Sequence, residues 1–131
     1  MYILDTNICI YIIKKKPPGV FKKFEQLPIG SVSMSLITYG ELEYGALRSN
    51  NSEKALNVLE ELANYIPILL AGVDVAKEYA SIRADLASKG TLIGNNDLWI
   101  AAHARSLGYT LVSNNIKEFE RVEHLQLENW V

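Results

Sequence analysis

A single cysteine, Cys9, among 131 residues leaves no partner for an intramolecular disulfide and no thiolate cluster for zinc. Only two histidines are present, His103 and His124, and neither has a second histidine or cysteine at ligand spacing. A nitrogen- or sulfur-based metal site is thereby excluded, and both read as structural or surface groups. No apolar run approaches the ~18 to 20 residues of a membrane span. Met1-Tyr2-Ile3-Leu4-Asp5 has no basic region, long apolar stretch or small-residue cleavage site, so no secretory signal is expected and the expected address is cytoplasmic. An excess of one charge sign is missing too: the formal net charge is −2, so bulk charge does not draw nucleic acid to the chain. Lys14-Lys15-Lys16 with Lys22-Lys23 could still form a local basic groove, although Lys14–Lys16 reads first as a solvated helix end. What is present, 49% apolar and 21% charged residues, describes one globular domain over 1–131 with a buried core.

Strands and helices alternate along the chain. Residues 1–5 read as a buried strand, followed by a helix from Thr6 to about Lys16 that Pro17-Pro18 stops. A short helix is expected over Val20–Leu27 and a strand over Ser31–Met34. Ser35 can cap a helix from Leu36 to about Arg48, and Ser52 one from Glu53 to Asn64. Ile66–Leu69 reads as a strand and Val73–Ser88 as a long helix ended by Gly90. Asn95 or Asn96 caps a helix to Leu107, closed by Gly108. Thr110–Ser113, Ile116–Phe119 and Leu125–Leu127 read as strand, short helix and strand. This order predicts an α/β fold, a central parallel sheet of four to five strands between two helical layers, with the functional site at the carboxyl ends of the strands.

Three acids are candidates for that edge. Asp5 ends the first strand, where a buried carboxylate must gain a cation, a hydrogen-bond network or a proton. Asp97 sits in the first turn of an unusually apolar helix, Leu98-Trp99-Ile100-Ala101-Ala102-His103-Ala104. Read alone it would be a helix-dipole acid. Glu41 lies inside a helix flanked by Gly40 and Gly45, which suggests close packing or ligand approach, because glycine costs ~1 kcal/mol there relative to alanine. Its plain alternative is a surface pair with Arg48, a reading that suits Glu43 better. Three acids converging from three βα units would repel one another without cations, and oxygen-only ligation suits Mg²⁺ or Mn²⁺. Hard cations held by carboxylates are a standard arrangement for phosphodiester cleavage.

Leu4-Asp5-Thr6-Asn7, Ile37-Thr38-Tyr39-Gly40-Glu41-Leu42, Ile93-Gly94-Asn95-Asn96-Asp97 and Leu111-Val112-Ser113-Asn114-Asn115 together resemble the VapC toxins of the PIN-domain superfamily, in order and spacing over the whole chain. The resemblance implies a homodimer with Mg²⁺- or Mn²⁺-dependent endoribonuclease activity, leaving 5′-phosphate and 3′-hydroxyl ends. It also implies neutralisation by a VapB-like antitoxin, through a C-terminal segment laid along the active-site groove. Ile93–Asp97 and the terminal Glu128-Asn129-Trp130 look most like the subgroup that cuts the anticodon loop of initiator tRNA. By match to the motif, Asp5 and Asp97 are metal ligands, with Glu41 binding directly or through water. Thr6, Asn7, Asn96 and Ser113 are the expected orienting or substrate-binding residues. Many PIN domains carry a fourth acid where this chain has Asn115. Asn115 offers a neutral oxygen, and Glu118, or less readily Glu120, could restore the charge.

The remaining candidates take plainer readings. Cys9 is a small core residue, Tyr11 and Tyr39 core tyrosines before base-stacking ones, and Trp99 and Trp130 core or dimer-contact residues. A phosphoaspartate phosphatase would need an acid where Asn7 stands, and a receiver domain an acidic pair for which the residues before Asp5 leave no room. A non-catalytic PIN-fold module binding RNA or protein survives only through Asn115.

Overall fold

The apolar residues of the short strands alternate between two cores, and that alternation sets the layers. A computed structural model describes residues 1–131. Five strands, β1 (Tyr2–Leu4), β2 (Val32–Ser35), β3 (Ile68–Leu69), β4 (Thr110–Val112) and β5 (Leu127–Glu128), form one sheet in the order β3-β2-β1-β4-β5. Every pairing is parallel, with Leu4 beside Met34 and Val112. Ile3 and Leu111 enter a core with α5 (Val73–Ser88) and α6 (Asn95–Leu107). Leu4, Met34 and Val112 enter the other, with α1 (Thr6–Lys14), α2 (Pro18–Glu25), α3 (Leu36–Leu47) and α4 (Ser52–Tyr65). A short α7 (Ile116–Phe119) links β4 to β5. The result is the three-layer α/β/α fold expected from the alternation, and no helix is long and apolar enough to cross a membrane.

The helix ends follow local chemistry. Lys15 takes a left-handed conformation (φ 55°) and turns its N–H back to the Tyr11 and Ile12 carbonyls, so α1 ends at Lys14 rather than Lys16. Pro18 opens α2, earlier than expected at Val20, because proline's missing N–H costs nothing in a first turn. Asn51, not Ser52, caps α4 by accepting the Lys54 N–H. Neither Asn95 nor Asn96 is a cap: both are helical, and Gly94 precedes α6 without a side-chain cap. Ser35 caps α3, α5 spans Val73–Ser88, and Gly90 and Gly108 follow their helices at φ 68° and 67°, all as expected. β3 is reduced to two residues because Ile66 still closes α4. β5 lies at Leu127–Glu128, beyond the expected Leu125–Leu127, since Gln126 and Glu128 supply the carbonyls that β4 needs.

His103 is buried, and so structural as expected. Its Nδ1 lies 2.8 Å from Ser35 Oγ, which already accepts the Ile37 N–H that caps α3. The ring also bonds the backbone of Leu70, so it ties the cap of α3 to the segment that follows β3. Burial holds this ring's pKa below the ordinary 6.5. A depressed histidine contributes stability above its unfolded-state value and loses it as pH falls through that range. The thermal stability of the wild type relative to His103→Gln is therefore expected to be greatest at neutral pH and to shrink as pH falls below 6.5. A pH-independent difference would contradict this.

Candidate active site

Asp5 stands where β1 becomes α1. Its backbone N–H completes the ladder to Val112 O at 2.9 Å, and its side chain turns back as the helix cap. Oδ1 accepts the Thr6 N–H and Oδ2 the Ser113 hydroxyl, both at 2.8 Å. Ser113 Oγ also accepts the Asn115 N–H at 2.9 Å, which orients its proton toward Asp5. The carboxylate is buried, at 5% exposure. Burial raises its pKa most, against the Ser113 and Thr6 bonds that lower it, and Glu41 adds a further upward push.

Glu41 arrives from the second turn of α3. Thr6 Oγ1 donates to its Oε1 at 2.6 Å, and Asn96 Nδ2 to its Oε2 at 3.4 Å. Thr38, buried one turn earlier, places its Oγ1 3.4 Å from that of Thr6. The alternative pairing of Glu41 with Arg48 is not found: Arg48 donates to the Tyr44 hydroxyl at 3.3 Å. Nor is close packing the reason for Gly40 and Gly45, since a Cβ at either would meet nothing within 4 Å.

Asp97 is half-buried in the first turn of α6. Burial, then the charges of Asp5, Glu118 and Glu41, push its pKa up to about 6. Glu118, half-buried on α7, is one of the charges that act on Asp97. Asn115 contributes its backbone N–H to Ser113, while its side chain makes no hydrogen bond. Asn7 is exposed and lies outside the network, and Glu120 is exposed at the end of α7.

No lysine or arginine is ion-paired to these acids; the salt bridges lie elsewhere, at Lys89 and Arg105. Nor do three carboxylates close tightly around one point, as a protein cage for a metal would require. The donor set is oxygen-only, half-buried and short of positive charge. That suits a hydrated hard cation such as Mg²⁺, which keeps several waters and takes one or two carboxylates.

A groove of about 550 Å³ runs between α1, α3 and α4, with Glu41 in its wall. Ile10, Leu42, Gly45 and Leu59 line it, and Lys14 and Lys54 add positive charge. Lys15, Lys16, Lys22 and Lys23 are exposed, with Lys15 Nζ 5.0 Å from the Phe21 ring centre. Cys9 is buried, and Tyr11 and Tyr39 pack against the core as expected. Tyr11 also accepts a bond from Asn114 Nδ2 at 2.8 Å. Trp130 is buried edge-on against Tyr2, and Trp99 is half-buried and stacked on Tyr79. His124 is exposed at φ 62°. Thr38 was not anticipated, although a threonine one helical turn before Glu41 was the available signal.

A parallel α/β/α sheet with acids at its carboxyl edge defines a class, and comparison with known proteins gives it a name. The PIN domain family matches residues 2–125. "Ribonuclease VapC2" of Haemophilus influenzae is 47% identical over 130 residues, covering 99% of this chain and 98% of that protein. "tRNA(fMet)-specific endonuclease VapC" of Shigella flexneri is 43% identical over 129 residues, 98% of this chain and 97% of its own. Among solved structures, VapBC2 from Rickettsia felis bound to a promoter DNA fragment superposes with a TM-score of 0.93 at 40% identity, over 99% of this chain and 98% of that one. The chain belongs to the PIN-domain family, as a member of its VapC type.

A carboxyl whose pKa rises on folding binds more protons in the folded state. Stability therefore falls as pH climbs from Asp97's ordinary 3.8 to about 6 and stays lower above. In EDTA, Asp97→Asn is expected to be more stable than the wild type at pH 8, by on the order of 1 kcal/mol, and to lose that advantage by pH 4. Equal melting temperatures across this range would show that neither burial nor the neighbouring acids shift Asp97.

Proposed function

We propose that this chain is the toxin of a type II toxin–antitoxin pair, an endoribonuclease that requires Mg²⁺ or Mn²⁺. One observation carries the reading: Asp5 and Glu41 are tied together through Thr6, Asn96 on the helix of Asp97 reaches Glu41, and no lysine or arginine pairs with these acids. The relatives named ribonucleases support the reaction class. We assign cation binding to Asp5 and Asp97, with Glu41 and Glu118 completing the charge and Asn115 a neutral oxygen beside them. A divalent ion held there supplies an activated water and a counter-charge for the phosphoryl oxygens.

The protein's own part is orientation. Thr6 N–H and the Ser113 hydroxyl each hold one oxygen of Asp5, and Thr6 Oγ1 and Asn96 hold Glu41. Thr6 thus ties two acids together through two of its own atoms. Asn7, exposed at the start of α1, is free to meet substrate. In-line attack of water on phosphorus then leaves a 5′-phosphate and a 3′-hydroxyl. The relative named a tRNA(fMet)-specific endonuclease supports initiator tRNA as the substrate, and the resemblance of Ile93–Asp97 and the terminal Glu128-Asn129-Trp130 makes its anticodon loop the site we propose.

The VapBC complexes among the solved relatives support a VapB-like antitoxin as partner. The groove with Glu41 in its wall is the path we assign to an antitoxin segment. Leu36, Gly40, Tyr44 and Leu47 form an exposed stripe on α3, which we assign to a homodimer contact. The rival reading, a non-catalytic PIN-fold module, rested on Asn115. Glu118 acting on Asp97 weakens it.

Purified, antitoxin-free protein is expected to cut total bacterial RNA at discrete sites with Mg²⁺ or Mn²⁺, and not in EDTA. Asp5→Asn and Asp97→Asn should lower the rate by about 10²-fold or more. Ser113→Ala and Thr6→Val, which only orient carboxylates, should lower it by about 10- to 100-fold. Mapping the new 5′ ends identifies the target. Intact RNA with folded protein and either metal would reject the enzyme.

A further inference from the structure

An edge crowded with carboxylates repels a polyanion, so an RNA strand needs a cation beside the site. Two of the four arginines are otherwise engaged, and a third, Arg48, makes the same pair with a tyrosine one turn back as Arg83 does but has no onward bond to α6. Arg105 is paired to Glu78, Arg121 donates to the Thr91 and Leu92 carbonyls, and Arg48 lies over Tyr44 at the end of α3.

Arg83 differs. It is exposed on α5 with no carboxylate partner, yet it is held in place. Its Nη1 donates to the Tyr79 phenol oxygen at 2.6 Å, one helical turn away, and its guanidinium lies 5.9 Å from that ring centre. Tyr79 in turn donates to Asn95 Oδ1 at 2.6 Å, and its ring stacks on Trp99 at 3.9 Å and 9°. Asn95 is the first residue of α6. It precedes Asn96, which donates to Glu41, and then Asp97.

Two hydrogen bonds therefore lead from a free cation to the mouth of the helix that carries Asp97. The remaining guanidinium N–H groups have no acceptor in the chain, and a planar fork of donors matches a phosphate. An exposed arginine ordinarily loses rotamer freedom on binding. The Tyr79 bond and the Trp99 stack remove part of that cost in advance.

We infer that Arg83, pinned by Tyr79 and Asn95, grips an RNA backbone phosphate beside the scissile one and sets the lie of the strand across Asp5, Glu41 and Asp97. This rests on the ribonuclease reading above. Arg83 is a positioning residue and takes no part in the chemistry. The simpler account, an intrahelical Arg–Tyr pair, predicts no change in how RNA binding responds to salt.

The test uses the RNA site that the wild type cuts. Arg83→Gln should raise KM about tenfold, and Tyr79→Phe, which keeps the cation but frees it, about threefold. In an Asp97→Asn background, Arg83→Gln should flatten the plot of log binding constant against log KCl by about 0.7 to 1. Arg83→Lys should keep the slope while binding more weakly. An active wild type alongside an Arg83→Gln protein with unchanged KM and slope overturns the anchor and leaves the enzyme standing. A wild type that neither cuts nor binds RNA overturns the enzyme reading itself. If Arg83→Gln and Arg83→Lys both lose binding together with a change in sedimentation, the residue belongs to a subunit contact and the anchor falls.

Discussion

A carboxylate buried at the end of the central strand constrains everything around it. Asp5 has exchanged most of its hydration for one N–H from Thr6 and one O–H from Ser113. Those donors come from opposite directions along the chain, one from the helix that Asp5 itself caps and one from the strand beside it. Both are in place only if β1 pairs with β4 in the observed register, Leu4 beside Val112. A slip by one residue would reverse every inward-facing side chain and separate Ser113 from Asp5. Burial of one charge and register of the sheet are thus a single requirement.

The neighbouring acids are set by similar interlocks. Ser35 caps α3 and is in turn held by His103 of α6, so the helix that carries Glu41 is tied to the helix that carries Asp97. Near the other end of the same contact, Asn96 reaches Glu41 directly. Thr6 joins Asp5 to Glu41 across α1 and α3. None of these links supplies positive charge. The network fixes positions and leaves repulsion uncompensated, which is the arrangement expected where a cation is to be bound and not merely tolerated.

Much of this was legible because it depends on local chemistry. Period and punctuation gave α5 with its bounds, Gly90 and Gly108 gave two helix ends, and the apolar run before Asp5 gave the central strand. What stayed hidden depends on tertiary placement. Asn115 and Glu118 could not be separated in sequence, since only the folded chain brings the charge of Glu118 to bear on Asp97. Asn95 looked like a cap but serves Tyr79, sixteen residues before it. Gly40 and Gly45 suggested close packing or ligand approach; neither is crowded, and Gly45 lines the groove. β5 moved because a strand's limits are set by its neighbour's donors more than by its own apolar residues.

The strand order also has a consequence in time. β1 precedes the other four strands in the chain, yet it lies in the middle of the sheet and waits for β4 on one side. Ser113 lies 108 residues from the Asp5 it steadies, and Asp97 and Glu118 belong to the same late stretch. A growing chain therefore carries its first acid from the outset without a site to put it in. A site built on Asp5 would stay incomplete on the ribosome until the stretch that carries Asp97, Ser113 and Glu118 had emerged.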